Sequence, residues 1–253
     1  MSSFSIALIA GGCIFSGALL GIWLQNKLPS NHLDKDSHEI VKLGAGMIAT
    51  LTALVLGLLV SSAKGTFDTI NEGTKQISAR IIQLDRILAQ YGPEGQPIRK
   101  QLRQTVADSL AAIWPQRPVS ASEQVAGRHT SRVEAIQEQL RGLTPQTDGQ
   151  RQLLTQADQI TSDISQARWL LMEQAQNPLP LPLLVILICW LMGLFVSFGL
   201  FSPHNGTVIT VLFLCVCSVS AAIFLIMEMN QPLQGFFKVS SAPMRLALEL
   251  LGH

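Results

Sequence analysis

Five positions in one apolar stretch share a helical face and a character: Gly46, Thr50, Ala53, Gly57 and Ser61. Steps of three and four residues bring side chains to the same side of an α-helix. All five are small, and two carry a hydroxyl. Two kinds of chemistry fit such a stripe. It lets another helix approach closely in lipid, where no hydrophobic force draws helices together. It could instead wall an ion path, its hydroxyls and exposed backbone solvating an ion weakly. Bulky neighbours such as Leu51, Leu54 and Leu58 would then supply a constriction that closes by dewetting. Both remain open from the residues alone.

Other polar groups are sparse. Glu228 and Lys64 stand at the ends of apolar stretches and are candidates for a vestibule, although Glu228 reads more simply as a solvated helix end. His32, Asp34, Asp36, His38 and Glu39 alternate in a way that could hold a divalent cation. Loops of that composition are usually only solvated, so no metal is assigned. His204 reads as a polar turn residue in Pro203-His204-Asn205-Gly206. Cys13, Cys189, Cys215 and Cys217 all lie inside apolar stretches and read as small buried hydrophobes rather than a disulfide or metal framework. No phosphate-binding loop, nucleophile elbow or catalytic constellation is present. An enzyme is not expected, nor any cofactor.

The elements that position these residues follow from composition. The chain has 253 residues, 48% hydrophobic and 14% charged, with a formal net charge of +1. Soluble domains carry roughly 25% charged residues. The near-zero balance argues against a nucleic-acid partner. The missing charge is concentrated in four stretches, residues 4–24, 43–63, 182–201 and 207–227, none of which contains Asp, Glu, Lys, Arg or His. Each is long enough to cross ~30 Å of hydrocarbon at about 1.5 Å per residue. The sequence therefore predicts an all-α integral membrane protein. Its parts are a first transmembrane hairpin over 1–64, a cytoplasmic helical stalk over 65–178, a second hairpin over 179–230 and a C-terminal segment over 231–253. Spans without ionisable groups argue against a proton-coupled transporter. The glycines of span one, Gly17 and Gly21 with Gly12 and Ser16, are best explained by packing.

Near the spans, Lys64, Lys75, Arg168, Lys238 and Arg245 on one side outnumber Lys27, Lys35 and Lys42 on the other. The positive-inside rule then places both termini and the middle segment in the cytoplasm, in an inner or plasma membrane. Trp23 fits an interfacial anchor on the far side. In the middle segment, Phe67, Ile70, Thr74, Ile77, Ile81, Leu84, Leu88 and Tyr91 alternate steps of three and four, the seam of a long helix that stops at Tyr91-Gly92-Pro93. Further helices are expected over 98–114, over 131–143 and after an N-cap at Thr144 with Pro145 in the first turn. The last carries Leu153, Ala157, Ile160, Ile164, Ala167, Leu171 and Gln174. A short amphipathic helix after Ser241 presents Met244, Leu246, Leu248 and Leu251.

Several of these segments together resemble the bestrophin-like domain family. They are the run Ala53-Leu54-Val55-Leu56-Gly57-Leu58-Leu59-Val60-Ser61-Ser62-Ala63, then Leu84-Asp85-Arg86, Tyr91-Gly92, Arg99 and Leu102-Arg103. Pro232, Gly235 and Val239-Ser240-Ser241-Ala242-Pro243 complete the set. The resemblance implies a ring of subunits, pentameric as in bestrophins proper, with span two around a central ion path. Anion flow is implied only through bestrophins themselves. Two departures stand out. An acidic calcium-binding cluster has no counterpart, since only Glu228 and Glu249 follow span four. The phenylalanines of a bestrophin neck are also missing from span two. Calcium gating is therefore not expected.

The leading expectation is a homo-oligomeric channel in the lipid bilayer passing small inorganic ions, with anions the expected cargo. Gly46, Thr50, Ala53, Gly57, Leu58 and Ser61 would line it. The alternative is a membrane scaffold or sensor whose cytoplasmic helices bind a partner without conducting ions.

Overall fold

A computed structural model describes residues 2–28, 35–114, 127–176, 181–203, 205–233 and 235–252. Among them there are helices and turns and no strand. The helices are α1 (Ser3–Gln25), α2 (Lys35–Tyr91), α3 (Gln96–Ile113), α4 (Gly127–Arg141), α5 (Asp148–Gln176), α6 (Leu181–Leu200), α7 (Gly206–Met229) and α8 (Ala242–Leu250). Four of them, α1, α2, α6 and α7, are long and apolar enough to cross a membrane. The chain divides into two compact units, residues 1–67 with 178–237 and residues 68–177 with 238–253.

In the first unit α1 packs mainly on α6 and then on α7. Glycine makes that contact possible. A Cβ at Gly21 would run into the carbonyl oxygen of Val196, and one at Gly199 into that of Ala18, so the two backbones touch. Ile14, Leu187, Leu191, Phe195, Val216 and Ile223 fill the core, with Leu59 and Ala63 of α2 reaching it. Ser2 caps α1, its hydroxyl accepting from the Ser5 amide.

The second unit is a helical block that includes α2 from Asp68 onward. Ile70, Thr74, Ile77, Ile81, Leu84, Leu88 and Tyr91 are all buried. Ile98, Leu102 and Val106 of α3, Ile136 and Leu140 of α4, Ala157, Ile160 and Ile164 of α5 and Met244, Ala247 and Leu251 at α8 share the core with Ile77, Ile81, Leu84 and Leu88. Helix α2 has 57 residues and runs through Gly65 without a break. It stops at Gly92, whose φ of 120° is open to glycine and strained for other residues.

Some expectations shift. Helix α5 begins at Asp148, and the residue that caps it is Thr147, whose Oγ1 accepts from the Gln150 amide at 3.2 Å; Thr144 and Pro145 precede it. On α8 the buried positions are Met244 and Ala247, continued by Leu251, while Leu246 points outward. The expectation of four buried cysteines is overturned. All four are exposed in the chain, because a span covers only part of its circumference with its own neighbours. His32, Asp34 and His204 lie outside the described residues.

Candidate functional site

The apolar part of α2 has two unlike sides. Thr52, Leu59 and Ala63 turn inward and are buried. On the far side Gly46, Thr50, Ala53, Gly57 and Ser61 are all exposed, and Leu58 lies exposed beside them. A Cβ added at Gly44, Gly46 or Gly57 would meet nothing within 4 Å. Contrast this with Gly17, Gly21 and Gly199 of α1 and α6, whose missing side chains are filled by a neighbour. Gly17 and Gly21 of α1 therefore serve packing within the chain. The expectation of packing fails for Gly12 and Ser16, which are exposed on the side of α1 away from α6, with open space beside Gly12; the small residues on the far side of α2 are likewise uncovered. Of the four apolar helices α2 is the least covered: 11% of its most apolar window is buried, against 22–39% in the others.

Leu54 and Leu58, one step around the helix from Ala53 and Gly57, also point away from the rest of the chain, as do Leu43 and Met47. A small stripe flanked by a bulky one is thus left open along α2. The Thr50 hydroxyl donates to the Gly46 carbonyl at 2.9 Å. In that rotamer it offers lone pairs to the open face, and its proton stays within the helix.

The two vestibule candidates separate. Lys64 is exposed and lies one turn past Ser61. Glu228 is buried in the last turn of α7, where its carboxylate accepts a hydrogen bond from the backbone amide of Phe236. The simpler expectation of a solvated helix end fails, because the chain folds back on that carboxylate. Gly235 permits the return: its φ is 105°, and a Cβ there would press on Glu228 Oε2. His38 lies edge-on to Phe201, ring centroids 4.5 Å apart. Among the described residues no group of three His, Cys, Asp or Glu side chains is arranged to hold a metal.

The Bestrophin-like domain family matches residues 12–244. The chain belongs to that family. No curated protein matches the sequence. Among solved structures, two mutants of a bacterial bestrophin homologue from Klebsiella pneumoniae are similar in fold. One has a TM-score of 0.66 at 11% identity, covering 98% of this chain and 99% of the homologue. The other has 0.64 at 12%, covering 96% and 97%. A third structure, of a membrane protein, gives 0.65 at 12% identity over 98% and 100%. With its four long apolar helices, this bestrophin-like chain is an integral membrane protein.

In the second unit of this bestrophin-like fold, Asp85 of α2 and Arg99 of α3 form a buried ion pair. Both fall in segments that carry the family resemblance, yet no local sequence signal pairs residues that far apart. Trp114 is partly buried, and its indole Nε1–H donates to the Val239 carbonyl at 2.8 Å. Trp169 is largely exposed and lines a shallow cleft of about 140 Å³ with Val133, Glu134 and Arg168. Burial there pulls the Arg168 guanidinium below its ordinary pKa, and the charge of Glu134 acts the other way.

Proposed function

We propose that this bestrophin-like protein is the subunit of a homo-oligomeric channel for small ions, with α2 lining the path. Its four apolar helices would cross the bilayer as two hairpins, α1 with α2 and α6 with α7. The helical block from residue 65 to 178 and both termini would lie in the cytoplasm, as the lysine and arginine distribution favours. A four-helix subunit has no room for an aqueous path of its own, so the path needs a closed ring of copies. By family resemblance the ring is a pentamer and the cargo an anion.

The observation that carries this reading is the open face of α2. The helix richest in small residues is the one least covered by its own subunit. Gly46, Thr50, Ala53, Gly57 and Ser61 would then face or flank the path, with Leu54 and Leu58 supplying its dewetted narrows. Lys64 would stand at the cytoplasmic mouth, one turn below Ser61. Glu228 is engaged by the turn behind α7 and is assigned to holding that turn.

Purified protein in liposomes tests the reading. Ion flux above that of empty liposomes is expected. Gly57→Trp should abolish it while the oligomer still elutes intact. Flux indistinguishable from empty liposomes across pH and voltage would instead favour a scaffold whose helical block binds a partner.

A further inference from the structure

Helix α7 ends at Met229, and the chain beyond it does not leave the region at once. Pro232 is buried. The Phe236 amide then donates to the carboxylate of Glu228, itself buried in the last turn of the helix. Gly235, at φ 105°, makes that reversal possible. The backbone of Phe236 is therefore fixed alongside the final turn of an apolar helix.

What this turn presents is unusual for a loop. Phe236 is 84% exposed and Phe237 45%. Their rings touch each other edge to face, with centroids 5.6 Å apart. Lys238 follows directly. In water this pair would be an unfavourable exposure of apolar surface. At the end of a membrane span the same pattern fits a lipid boundary, with aromatic rings at headgroup level and an adjacent cation able to reach lipid phosphates.

We propose that Phe236 and Phe237 form a wedge inserted into the headgroup–acyl boundary of the bilayer face where α7 ends. Lipid is the occupant because the exposed rings are tied by the Phe236 amide to the last turn of a helix apolar enough to cross a membrane. Its depth is set by the hydrogen bond to Glu228. The proposal needs α7 to be embedded in lipid and does not depend on ion conduction.

Nitroxide labels test it. With Cys13, Cys189, Cys215 and Cys217 replaced by alanine, labels at Phe236→Cys and Phe237→Cys are read in phosphatidylcholine liposomes by collision with oxygen and with a water-soluble nickel chelate. Oxygen collision should dominate at both positions, and adding Glu228→Ala should release the turn and raise chelate collision. Chelate dominance with Glu228 intact overturns the proposal. So does an immobile label reached by neither agent, which would mean protein contact. The native chain provides a second measurement should the cysteine-free variant not fold. A photoactivatable phospholipid should modify the peptide spanning residues 235–238, and absence of that adduct beside labelled α7 also overturns the proposal.

Discussion

Arg99 and Asp85 meet fork to fork inside the helical block, Nε to Oδ1 at 2.7 Å and Nη2 to Oδ2 at 2.8 Å, with 8% and 1% of their side chains exposed. The Gly252 amide approaches Asp85 Oδ2 at 3.5 Å, a long contact that brings the chain's C-terminal end to the same carboxylate. The Asp85 hydrogen bonds hold the guanidinium above its already alkaline pKa, burial opposes this, and the carboxylate charge adds to it.

Removing one partner takes from the other buried charge its two-pronged ion pair. Asp85→Ala or Arg99→Met should each destabilise the block by about 3–5 kcal/mol, read as a lowered melting temperature in detergent. Replacing both together should recover much of the loss. The raised guanidinium pKa means that its contribution is complete at every pH below the unfolded value and fades only beyond it. Melting should therefore show no loss from this pair between neutral and mildly alkaline pH.

Tyr91 closes α2 with its ring buried and its hydroxyl without a hydrogen-bond partner among the described residues. Burial, with a smaller effect from Glu94, raises its phenol pKa above the ordinary value near ~10. The unfolded chain loses this proton first. The folded state thus keeps its full advantage below the ordinary phenol pKa and loses it as pH climbs toward the raised one. Tyr91→Phe should remove that alkaline loss, and at neutral pH it should be neutral or stabilising by up to ~1–2 kcal/mol, since no hydrogen bond is given up. The chain has one tyrosine, so tyrosinate absorbance during an alkaline titration reports this group alone.

The glycines divide by what surrounds them. Gly21→Ala and Gly199→Ala must push α1 and α6 apart and should cost about 1–3 kcal/mol. Gly46→Ala and Gly57→Ala meet open space and should leave melting unchanged or slightly raised. Thermal melts followed by helix content compare the four directly. A drop for Gly57→Ala matching that for Gly21→Ala would mean that the α2 face is packed against another helix.

What the sequence made legible is what local pattern encodes. An unbroken apolar run marks a span, and steps of three and four mark a buried seam; from Ile70 to Tyr91 every expected seam position is buried. The stop at Gly92 follows from the glycine and proline side by side. Pattern fails where the answer depends on a distant neighbour. Cys13 and Cys215 look buried from their apolar surroundings, and only the packing of α1 and α7 shows that they point outward. Glu228 reads as a solvated end because its partner is the amide of Phe236, eight residues on. Ala247 of α8 is buried in preference to the larger Leu246, because Met244 and Leu251 set the face. The open side of α2 lies between: its small residues stand out in the sequence, but not the fact that the rest of the chain leaves them uncovered.

That open side gives the sharpest test of ion choice. Ser61 is exposed one turn before Lys64, and a ring would bring one copy of each from every subunit to the path. Ser61→Lys should raise anion over cation permeability and Ser61→Glu should lower it. The expected change is about tenfold or more, the equivalent of ~1.4 kcal/mol, because like charges from several subunits add at short range. Reversal potentials of liposome-reconstituted protein under a salt gradient give the ratio. They should move in opposite directions for the two variants, and less at high salt, where the added charges are screened. Equal potentials for wild type and both variants would take Ser61 off the path. If Thr50 substitutions were also silent, the lining helix would have to be sought elsewhere.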